Sequence, residues 1–203
     1  GSTLALAYAQ SHPDRCLSLS LRGIFLCSAE EIDWFLNGMG QFFPEAQADF
    51  LAPIPEAERS NLLAAYGRRL MDGDPAVHMP AARAWVDYEE ACVSLLPQAR
   101  APYSSESDEK SLTLARLENH YFRHMGWLEP GRLLAGVDAI RAIPAAIIQG
   151  RYDVICPPRA AHALASAWPE AAFTIVPDAG HAVSEPGITA ALVAASDRFR
   201  AIA

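Results

Sequence analysis

Two consecutive apolar runs of this chain end in residues whose types could do acid-base chemistry. Gly150-Arg151-Tyr152-Asp153-Val154-Ile155-Cys156-Pro157 places Asp153 three residues past a run-ending glycine, and Pro177-Asp178-Ala179-Gly180-His181-Ala182 places His181 five residues past Val176. An Asp and a His so placed can form the orienting half of a Ser-His-Asp triad, in which the carboxylate fixes the imidazole tautomer and stabilises the imidazolium. Their separation, 181 − 153 = 28 residues, leaves room for one helix and one strand, as neighbouring parallel strands require. Taken singly, each has a plainer use: an Asp after a strand caps a turn or helix, and a His in a Gly-His turn lies in solvent. It is the pairing on successive strands, Asp before His, that points to catalysis.

The elements that must position them follow from periodicity. Residues 1–11 are Ala- and Leu-rich and helical in pattern, ended by His12-Pro13-Asp14, with no strand or loop ahead to deliver the helix. Residues 16–21 alternate strictly and continue into Gly23-Ile24-Phe25-Leu26, which predicts a strand. From about Ser28 to Leu134 aromatic and charged residues recur at helical spacing, predicting helices at 29–40, 45–51, 55–71, 77–96 and 107–124. Pro44, Pro53, Pro75, Pro80, Pro97, Pro102 and Pro130 are read as breaks and 101–108 as a surface loop. Beyond Leu134 the pattern becomes strand (144–150), helix (158–167), strand (172–176) and closing helix (188–203). That alternation predicts an α/β fold with a parallel sheet, whose functional groups gather beyond the carboxyl ends of the strands. The expected division is a core segment 1–28, a helical lobe 29–134 and a second core segment 135–203.

Composition narrows the partners. The 203 residues are 51% hydrophobic and 20% charged, enough to bury a core, and the net charge of −8 argues against nucleic acid. No apolar run approaches the roughly 20 residues of a spanning helix, and nothing reads as a signal peptide, so neither membrane nor export is expected. Cys16, Cys27, Cys92 and Cys156 lie far apart with no C-x-x-C pair, which favours reduced thiols in a cytoplasmic protein over zinc or a disulfide framework.

The Asp and His loops, together with Leu21-Arg22-Gly23-Ile24-Phe25-Leu26, Ile32-Asp33-Trp34-Phe35, Ala84-Trp85 through Glu89, and Ala115-Arg116-Leu117-Glu118-Asn119-His120-Tyr121-Phe122, resemble the proline iminopeptidase (prolyl aminopeptidase) family of α/β-hydrolases. The resemblance spans nearly the whole chain. It implies an α/β-hydrolase fold with an inserted helical cap, and a serine aminopeptidase that releases N-terminal proline from peptides. His181 would be its catalytic base and then acid, and Asp153 would orient it. Glu89 and Glu118 match the two glutamates that bind the substrate's amino terminus, and Phe25, Phe35 and Phe122 match pocket positions around the proline ring. Arg22 would meet a carbonyl or an acid near the site, and Cys156 would lie beside the triad. Without the resemblance, Glu89 and Glu118 read as solvated helix faces and the three phenylalanines as core.

The chain departs from the family's Trp-x-x-Trp-Glu-Gly segment at Trp85-Val86-Asp87-Tyr88-Glu89-Glu90, a change that bears on substrate preference more than on reaction class. The opening Gly1-Ser2-Thr3-Leu4-Ala5-Leu6 resembles the stretch that follows the nucleophile elbow, so the expected serine precedes Gly1 and Ser2 is not it. These residues alone are then expected to be inactive and to associate through an exposed core edge or with a preceding segment. The mechanism implies no metal or organic cofactor. Two alternatives remain: another cap-bearing hydrolase, an esterase or epoxide hydrolase, and a non-catalytic binding module.

Overall fold

The computed structural model describes residues 1–96 and 104–202. Pro97 and Pro102, read above as breaks, lie outside the described residues, as does the part of the expected loop at 101–103. The chain divides into two compact units: Gly1–Glu31 with Val93–Leu96 and Glu129–Ala203, and Ile32–Cys92 with Pro97–Leu128.

The first unit is built on a parallel three-stranded sheet. Strands β1 (Leu19–Arg22), β2 (Ala145–Gly150) and β3 (Ala172–Val176) lie in that order, with Leu19 opposite Ala145 and Ala146 opposite Ala172. All six residues of β2 are buried, the reason its sequence is a continuous apolar run rather than an alternating one. The expected strand at 16–21 is shorter and later: Gly23 turns the backbone to φ +55° and ends it after Arg22. The Ala-rich helix α1 (Ser2–Ser11) packs against β1.

The lobe begins with α2 (Ala29–Asp33), which passes into a π-helical turn at Trp34–Gly38 and a 3-10 turn at Met39–Gln41 rather than continuing as one helix over 29–40. Helix α3 (Pro44–Leu51) carries Pro44 at its first position, where a missing N–H costs nothing, so this proline starts a helix. The stretch expected as one helix at 55–71 is a 3-10 segment, Glu56–Asn61, followed by α4 (Leu62–Leu70), with Asn61 capping the Ala64 N–H at 3.0 Å. Helix α5 (Pro75–Val93) contains Pro80, so that residue interrupts nothing. Helix α6 (Ser105–Arg123) starts inside the expected loop because Ser104 and Ser107 satisfy each other's backbone N–H groups.

The second unit's core is aromatic. Trp85 and Tyr88 of α5 meet Phe35 at ring separations of 5.3 and 5.9 Å, Phe50 of α3 stacks on Tyr66 and Tyr88 at 4.6 Å each, and Phe122 of α6 lies 5.5 Å from Phe35. Replacing a fully buried ring such as Trp85 by Ala would cost about 3–5 kcal/mol.

The chain returns to the sheet unit through α7 (Arg132–Ala135), reaches β2, and continues through α8 (Pro158–Ala167), β3 and α9 (Pro186–Phe199). Helix α9 covers the sheet face carrying Ala146 and Ile148, with Ile188 and Ala195 in that cluster, while α8 also packs on β2. Among the described residues, no helix is long and apolar enough to cross a membrane.

Candidate active site

Asp153 sits in the loop after β2, 3% exposed. Its carboxylate accepts from three sides: Oδ1 from the Cys156 N–H at 2.8 Å, Oδ2 from Gln149 Nε2 at 2.8 Å, and Oδ2 again faces His181 Nδ1 at 2.9 Å. Because a carboxylate offers only acceptors, the proton of a neutral His181 belongs on Nδ1, which leaves Nε2 as the lone-pair nitrogen. The arrangement can orient an imidazole, stabilise its protonated form and present a base. Cys156 thus meets the acid through its backbone, and its thiol is buried. None of the four cysteines is in a disulfide.

The His loop is held by main-chain contacts. Tyr152 N–H donates to the Ala179 carbonyl at 2.9 Å, tying the Asp loop to the His loop. Gly23 passes beneath the imidazole: a Cβ there would lie 2.7 Å from His181 Cε1, so the glycine is required by both its positive φ and this approach. Arg22 directs its guanidinium at the His181 carbonyl oxygen. Phe25 follows in a half-buried segment, its N–H donating to Ser2 Oγ at 3.0 Å and its carbonyl accepting from Thr3 Oγ1 at 2.5 Å.

The helical unit brings Glu89 of α5 to Glu118 of α6. Glu118 Oε2 accepts from Trp85 Nε1 at 2.8 Å, and Glu89 is hydrogen-bonded to Glu118. Glu89 is pushed well above the ordinary carboxylate range, first by burial, then by the charge of Glu118 and the hydrogen bond to it, and last by Glu90. Two carboxylates in such contact share a proton and gain from a cation placed between them. Phe35 is buried in the aromatic core beside this pair's helices, whereas Phe122 keeps part of its ring accessible. The structure therefore gathers Asp153, His181, Arg22 and Phe25 in one unit, and Glu89, Glu118, Phe35 and Phe122 in the other.

Some supporting residues were not singled out by the sequence reading. Gln149 reads as one more residue of an apolar strand, yet its side chain is fully buried, donating to Asp153 and to the Cys156 carbonyl at 2.9 Å while accepting from the Ile24 N–H at 3.1 Å. A polar residue inside a continuous apolar strand was the available hint. Glu31 accepts from the Leu26 and Ser28 N–H groups at 3.0 and 2.9 Å, bracing the turn around Cys27, whose φ is +59°.

A parallel sheet flanked by helices, with an acid-imidazole pair at the carboxyl ends of adjacent strands, is the arrangement of the α/β-hydrolase fold. Residues 1–187 match the family described as alpha/beta hydrolase fold, and the chain belongs to that family. It is 48% identical over 205 residues to the proline iminopeptidase of Arabidopsis thaliana, across 100% of this chain and 54% of that protein. It is 46% identical over 201 residues to the probable proline iminopeptidase of Leptolyngbya boryana, across 98% of this chain and 63% of the relative. With the proline iminopeptidase of Neisseria gonorrhoeae the identity is 43% over 198 residues, 96% of this chain and 62% of the relative. The chain thus spans between half and two thirds of the length of these relatives.

Proposed function

We propose that this chain supplies the acid-base and substrate-holding parts of a serine aminopeptidase that releases N-terminal proline from peptides. The observation that carries the reading is the Asp153–His181 contact of 2.9 Å at the ends of β2 and β3, in a chain strongly similar to proteins named proline iminopeptidase. In this reading a serine preceding Gly1 in the intact protein attacks the first peptide carbonyl. His181 Nε2 takes its proton and returns it to the leaving amine, and Asp153 stabilises the imidazolium between the two transfers. Glu89 and Glu118 hold the positive amino terminus, which replaces their shared proton, and Phe25, Phe35 and Phe122 serve the apolar ring. Residues 1–203 alone are inactive under this proposal, since His181 then has no nucleophile to activate. Four cysteines outside any disulfide support a reducing, cytoplasmic setting.

The test is hydrolysis of proline β-naphthylamide by the intact protein. His181→Ala should lower kcat by about a thousandfold or more while circular dichroism is unchanged. Equal turnover by the variant, or an equal preference for esters lacking a free amine, would overturn the aminopeptidase reading.

A further inference from the structure

His181 is anchored at its backbone as well as at its ring. The segment Val93–Leu96 runs alongside the His loop, and the Val93 carbonyl accepts from both the His181 and Ala182 N–H groups at 2.9 Å. Glu185, two residues into the turn that precedes α9, closes this contact from the other side. One oxygen of its carboxylate, Oε2, accepts from the Gly180 N–H, and the other, Oε1, accepts from the Leu95 N–H at 2.7 Å. Glu185 stands at the N-cap position of α9, yet its side chain makes no capping bond to that helix. Its acceptors are spent on two amides 85 residues apart, 180 − 95. The fit is close: a Cβ on Gly180 would lie 2.9 Å from Leu95 N and 3.3 Å from Glu185 Oε1.

We infer that Glu185 is a positioning residue for the reaction, acting through His181: its carboxylate fork locks the His loop to the Val93–Leu96 segment and so fixes the imidazole against Asp153. This rests on the function proposed above only for its kinetic consequences. The physical argument is that the Asp153–His181 hydrogen bond needs the imidazole held to a few tenths of an ångström, and a five-residue loop reaches that only with both ends tied. A glutamine cannot substitute. It keeps one acceptor oxygen, but its NH2 group would face a backbone N–H, donor against donor. The charged groups that meet His181 are Asp153 at the ring and Arg22 at its carbonyl, so a displaced loop changes the first contact most.

The test compares Glu185→Gln and Glu185→Asp with the intact wild-type protein by two readouts. The first needs no activity: the far-downfield NMR resonance of the His181 Nδ1 proton bound to Asp153. In Glu185→Gln it should broaden or disappear, while thermal unfolding shows a folded protein. The second is kinetic: kcat should fall by about ten- to a hundredfold at nearly constant KM, the cost of a misplaced catalytic group. Glu185→Asp, which keeps the charge but shortens the reach, should fall between. A resonance identical to wild type in a folded Glu185→Gln would overturn the inference. If the wild type shows the resonance but no peptidase activity, the proposed function fails while the role of Glu185 is still decided by the NMR arm.

Discussion

In the sheet unit, Asp153 is met by N–H groups from three directions, whereas in the helical unit Glu89 meets a second carboxylate. Both groups are withdrawn from water, but one is surrounded by donors and the other by a like charge. The first environment suits a permanent anion that steadies an imidazolium. The second favours a proton held between two oxygens, and gives that proton up to a cation that can occupy the same place. The same functional group is thus tuned for two tasks by what the backbone brings next to it.

The largest effect on this contrast should come from removing the anion. Asp153→Asn in the intact protein places an NH2 group where one oxygen accepts, and kcat should fall by about 10⁴-fold with KM little changed. A loss of less than tenfold would mean that the donors around Asp153 serve folding alone. Next, Glu118→Gln leaves Trp85 Nε1 with an acceptor but removes the second charge. A charge-assisted contact contributes roughly 1.5–3 kcal/mol, so KM for a substrate with a free amino terminus should rise by about ten- to a hundredfold, and kcat far less. If kcat and KM moved together, the pair would be acting on the reaction rather than on binding.

The smallest effect concerns stability and separates the two carboxylates most cleanly. Glu89 is raised in the folded state, so the folded chain binds more protons than the unfolded one over the range above the ordinary glutamate pKa. Its burial is therefore harmless at low pH, and stability declines as pH rises through the folded value, by up to about 1.4 kcal/mol per pH unit for one proton. Glu89→Gln should abolish that decline and make the variant the more stable form at alkaline pH, as read from urea midpoints across pH 5–9. A variant whose midpoints track wild type at every pH would show that Glu89 is not protonated by folding.

Much of the sheet unit was legible beforehand because its signals are local. A mostly apolar run ending in Gly150 reads as a strand covered on both sides, and the loops after β2 and β3 announce Asp153 and His181 by their distance from the strand ends. The lobe was less legible. Pro80 and Pro44 read as breaks because proline lacks an N–H, yet α3 begins at Pro44 and α5 continues through Pro80. The Trp34–Gly38 turn widened where a uniform helix was expected, with the Trp34 ring packed so close that a Cβ on Gly38 would lie 2.3 Å from it. Capping by Ser104 and Ser107 moved the start of α6 into an expected loop.

What the sequence determined by itself was the α/β alternation, the order Asp153 then His181, and, by resemblance, the candidate pair Glu89 and Glu118. Only the tertiary structure decided how these groups are held: Gln149 behind the acid, Gly23 beneath the imidazole, Trp85 on Glu118, and Glu185 joining Gly180 to Leu95. The reason is range. Periodicity and strand-end spacing are written in neighbouring residues, whereas a carboxylate bridging two amides 85 positions apart exists only after the chain has folded back on itself.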